Sequence, residues 1–114
     1  KPQPFSPDLV FDITGQMEGK LLLYHQHTSQ MYEWLPWVGQ SLKEDIPEED
    51  GPRLAWLRGT RFEGRSRDCA ERWRAQLVAK YGEAGRQVRF AEALEACEYG
   101  ARPSPEELKE LFPF

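Results

Sequence analysis

The spacing of the apolar residues changes along this chain, and that change limits the fold more than any single motif does. In LVFDIT, Leu9, Phe11 and Ile13 fall on one side of an extended chain, and in KLLLYHQHT, Leu21 and Leu23 lie opposite Leu22 and Tyr24. Farther on, Cys69, Trp73, Leu77 and Tyr81 recur every four residues, the spacing of one helix face. Strands followed by helices indicate an α+β class. The expected architecture is an N-terminal antiparallel β-meander of three to four strands packed against two to three C-terminal helices. A single domain over 1–114 is expected, with a β part at about 8–62, an acidic loop at 41–52 and a helical part at about 66–112.

Punctuating residues place the elements. Pro2, Pro4 and Pro7 keep the amino end extended, and Gly15 to Gly19 connect the first two strands as a hairpin. Thr28, Ser29 and Gln30 turn the chain into MYEWLPWV, read as a third strand ended or pushed to an edge by Pro36. Met31, Trp34, Leu35 and Val38 also fall at helical spacing, with Ser29 as a possible cap, but a proline inside that pattern favours strand. SLKEDIPEEDGP reads as a surface loop, and RLAWLRGTRF, with Leu54 and Trp56 opposite Ala55 and Leu57, as a fourth strand. Ser66 is placed as the cap of a helix that Gly82 stops after Tyr81. Phe90, Leu94 and Cys97 make most of 88–99 helical, although RQVRF can begin as a short strand. Ser104, Pro105, Glu106 and Glu107 start a last helix that ends before Pro113.

The net charge of −4 conceals a segmented layout: residues 1–52 sum to −6, 53–89 to +6 and 90–114 to −4. Nine of the ten arginines lie in the middle segment. Either these guanidinium groups pair with the acidic ends of the same fold, or they meet an anionic partner. Arg58, Arg61, Arg65, Arg67, Arg72 and Arg74 are the candidate contacts. Tyr24, Trp34 and Trp37 join them as aromatic anchors, provided they lie open on one face and are not buried together as core.

Specific chemistry is sparser. His25 and His27 would share a strand face, but no third ligand accompanies them, so no metal is expected. Cys69 and Cys97 lack CxxC spacing and are expected as buried free thiols. No nucleophile sits in a recognisable motif and no glycine-rich phosphate loop is present, so neither an enzyme nor a cofactor is expected. Pro7-Asp8 followed by Glu18-Gly19-Lys20 resembles the signature of the PD-(D/E)xK nucleases over some 14 residues. That resemblance implies a magnesium ion held by Asp8 and Glu18, with Lys20 steadying the attacking water. In that family the acidic residue and lysine lie within a strand, whereas here they fall at the hairpin turn. Phe11, Tyr24, His27, Trp34 and Pro36 resemble the order found in WW domains, with spacings of 16 from Phe11 to His27 and seven from His27 to Trp34. It implies a groove of Tyr24 and Trp34 that grips a proline-rich peptide.

No apolar run long enough to span a bilayer and no basic-then-apolar leader is present, so a soluble cytoplasmic protein without membrane association is expected. The expected role is non-enzymatic: a small regulator, inhibitor or accessory subunit that binds a protein partner through the arginine-rich face and the exposed aromatics. The alternative is a nucleic-acid-associated protein using residues 53–74.

Overall fold

The computed structural model describes residues 4–39, 46–59, 61–97 and 99–113, with the side chain of Arg61 outside that description. Helices dominate it. In chain order they are α1 (Met17–Gln26), α2 (Leu35–Val38), α3 (Asp50–Arg58), α4 (Arg61–Arg72), α5 (Arg74–Tyr81) and α6 (Pro105–Leu111). The strands β1 (Leu9–Asp12) and β2 (Ala91–Leu94) pair antiparallel, with Val10 opposite Ala93 and Phe11 opposite Glu92. The expected meander of three to four strands is therefore overturned: this two-stranded sheet is the only one among the described residues.

Each misassigned strand has a physical cause. In α1, Met17, Leu21 and Tyr24 follow i, i+4, i+7 spacing and face the core, while Leu22 and Leu23 are exposed. Four consecutive apolar residues fit both periods, so alternation within LLLY carried no real preference. In α3 the Gly51-Pro52 pair, read as loop, occupies the first helical turn, where a missing N–H costs no helix bond. Leu57 is then fully buried on the α3 face.

Pro36 is accommodated in a helix after all. A π turn over Gln30–Trp34 immediately precedes α2, and the Leu35 N–H donates to the Gln30 carbonyl five residues back. Proline ordinarily clashes with the carbonyl four residues earlier. A widened turn relieves that crowding, so the segment is helical and not a strand, although Met31 faces the core while Trp34 and Val38 face outward.

The second half departs less. The long helix breaks at Trp73 into α4 and α5, and Ser66 lies buried inside α4 without capping it. After α5, Gly82 takes φ +63°, a conformation side chains resist, and the chain turns back through a 3₁₀ segment, Gly82–Gln87. That return delivers β2 to β1, where mostly helix was expected over 88–99. The last helix is as read, with a complete capping box between Ser104 and Glu107. The Ser104 backbone and side-chain hydrogen bonds hold the Glu107 carboxyl below its ordinary pKa. Residues 41–45 of the expected acidic loop lie outside the described residues, and 46–49 form no regular element before α3.

The sheet divides the core. Val10, Ala91 and Ala93 pack with Ala70 of α4 and with Leu77 and Val88. Toward the other face, Phe11 stacks on Phe112 at 6.5 Å and Glu92 receives Lys20 of α1. Ile13, Met17, Leu21, Met31, Tyr32 and Leu57 form the larger cluster there. No helix of the described residues is long and apolar enough to cross a membrane.

Cys69 is half-buried and Cys97 exposed, so the expectation of two buried thiols fails at Cys97 and is met only in part at Cys69. Burial, with Glu92 adding and Lys20 and Arg72 opposing, pushes the Cys69 thiol pKa up. Iodoacetamide at pH 8 should therefore alkylate Cys97 at least tenfold faster than Cys69, as read by peptide mass spectrometry. Equal rates in the folded protein would contradict the packing of α4 on β2.

Candidate functional site

The segment Gln30–Val38 is mounted firmly and presents large aromatics outward. Met31 and Tyr32 point into the larger core cluster. The Tyr32 hydroxyl and His25 Nδ1 share a 2.7 Å hydrogen bond, the Tyr32 ring meets Trp56 at 5.8 Å, and the Arg53 guanidinium lies 4.8 Å from its centre. Burial raises the Tyr32 pKa, with Arg53 opposing and Asp50 adding. On the outward side stand Trp34, 52% exposed, and Trp37, 64% exposed, with Val38 beside them. Ser29, Gln30, Tyr32, Glu33, Trp34 and Trp37 line one open recess of about 660 Å³.

This places the three aromatic candidates apart. Trp34 and Trp37 share the recess, whereas Tyr24 packs on Phe62 of α4 at 5.5 Å with Lys20 over its ring. A WW-type groove of Tyr24 and Trp34 on a three-stranded sheet is therefore not what this segment forms. The histidines separate too: His25 is tied to Tyr32, with its Nε2 3.7 Å from Asp50 Oδ1, while His27 is the exposed cap of α1.

The arginines are largely engaged within the fold. Arg58 pairs with Glu18 of α1, and Arg67 with Glu63 one turn away at 2.7 Å. Arg74 is structural: its Nη1 donates to the carbonyls of Gly85 (2.9 Å) and Val88 (2.7 Å), fastening the return from α5 to β2. Arg65 lies over Phe62 and Arg72 over Trp73, and among the described residues neither has a carboxylate partner. Arg61 begins α4.

The nuclease-like residues are distributed among different partners. Asp8 Oδ2 accepts from the Ala96 N–H at 2.7 Å, Glu18 is held by Arg58, and Lys20 reaches Glu92 and the buried Ser66 hydroxyl. Lys20, Glu92 and the exposed Leu22 and Leu23 border a second groove. No group of three His, Cys, Asp or Glu side chains suited to a metal occurs among the described residues.

What sequence reasoning missed was the recess itself. Helical spacing puts Gln30, Trp34 and Trp37 on one face, a grouping distinct from the Met31, Trp34, Leu35 and Val38 set that the sequence suggests. Comparison with protein-family models, curated proteins and solved structures finds no match.

Proposed function

We propose that this protein binds and modulates a protein partner, in the cytoplasm, through the recess at Trp34 and Trp37. The observation that carries the reading is the pair of half-open indoles on a segment whose other side is locked into the core. Exposed tryptophans of this size are the residues that most often anchor protein contacts, and a rigid mounting lowers the ordering cost of binding. Arg65 and Arg72 on α4 are the best-placed supplements from the arginine-rich segment, since the other described arginine candidates already serve carboxylates or backbone carbonyls.

Peptide display against the intact chain tests the recess. Selected peptides should lose about 30-fold in affinity on Trp37→Ala, the loss typical of a central aromatic anchor, while circular dichroism stays unchanged. Peptides that bind Trp34→Ala and Trp37→Ala as tightly as the parent would remove the recess from the interface.

A further inference from the structure

We propose that the recess receives an arginine side chain of the partner, its guanidinium laid on the indole faces and its charge directed at Glu33. This rests on the recess being the partner site and adds the chemistry of what enters it.

The protein's own rings point to this. Lys20 lies over Tyr24, Arg53 over Tyr32, Arg65 over Phe62, Arg72 over Trp73 and Lys80 over Tyr81, while Arg67 and Arg89 flank Phe90. A cation within about 6 Å of a ring centre is attracted by the ring's quadrupole, and indole attracts most strongly. Yet among the described residues no cation and no second ring lies against Trp34 or Trp37, the most exposed tryptophans. Of the four indoles, the two most exposed are left open by the described residues.

Charge agrees with the rings. Glu33 lines the same recess, is exposed and has no cationic partner among the described residues. Behind Tyr32, His25 leads to the exposed Asp50 carboxylate. The Arg53 guanidinium lies over the Tyr32 ring, so Glu33 and Asp50 supply the negative charge of this side. A positive group on the partner is thus drawn in, and a negative one repelled. Guanidinium suits the site better than ammonium, because it is planar and weakly hydrated and can stack on indole while forking to one carboxylate. A lysine ammonium would surrender stronger hydration for the same single carboxylate.

The test titrates acetyl-Leu-Arg-Leu-amide, and its citrulline counterpart of similar shape without the charge, into the isotope-labelled full chain. The readout is the set of four indole N–H resonances, assigned through Trp34→Phe and Trp37→Phe spectra. The arginine peptide should shift Trp34 and Trp37 and leave Trp56 and Trp73 in place. The citrulline peptide should bind about tenfold more weakly, and Glu33→Gln should weaken the arginine peptide several-fold. Equal affinity of the two peptides would remove the arginine and leave the recess as a peptide site. Movement of neither indole with either peptide would remove both. Tighter binding of a third peptide, with trimethyllysine in place of the arginine, would reassign the recess to a quaternary ammonium.

Discussion

Gly85→Ala is expected to destabilise the protein by about 3 kcal/mol, lowering its Tm by roughly 15 °C. Gly85 is buried, and a Cβ there would fall on the backbone of Leu77 and Val78, 2.7 Å from the Val78 nitrogen. No side-chain rotation relieves a collision with backbone, so either α5 or the returning segment must move. That movement also breaks the Arg74 bonds to the Gly85 and Val88 carbonyls and loosens the delivery of β2 to β1. Gly64→Ala, inside α4 with open space around its Cβ position, is the control and should stabilise by about 0.5–1 kcal/mol. Thermal melts of both variants decide the matter. A Gly85→Ala protein that melts with the parent would mean the chain does not turn back against α5.

Leu21→Ala should cost about 3 kcal/mol in urea unfolding, while Leu23→Ala should stay within about 0.5 kcal/mol of the parent. On a strand these two leucines share a face and would suffer alike. On α1 they part: Leu21 is 2% exposed within the larger core cluster and Leu23 is 68% exposed. Matching losses at both positions would restore the strand reading of this segment.

Local signals were legible where one residue type enforces one geometry. Ser104-Pro105 with Glu107 specifies a helix start through capping and a fixed proline φ, and Gly82 ends α5 because its backbone turns to positive φ. Alternation in LVFDIT locates β1, although the strand ends at Asp12 and its buried residue is Val10, opposite the face of Leu9 and Phe11. Legibility ended where the deciding contact is remote. The partner of β1 is β2, some 80 residues on, and nothing within RQVRFAEAL announces that pairing over a helix. Proline misled twice, at Pro36, which a π turn absorbs, and at Pro52, which sits in a first helical turn. The candidate site was half legible. Trp34 and Trp37 could be named from type and spacing, but the engagement of Arg58, Arg67 and Arg74 depends on groups the sequence does not place beside them.

The proposed interaction surface is tested most directly by comparing two variants against one display-selected peptide in the same titration. Trp37→Ala removes an indole from the recess, and Arg65→Glu with Arg72→Glu reverses the two arginines of α4 that have no carboxylate partner among the described residues. The expected result is a loss of about 30-fold for Trp37→Ala and less than about threefold for the arginine pair. Full affinity in Trp37→Ala together with loss in the arginine pair would contradict the assignment and move the binding site to α4.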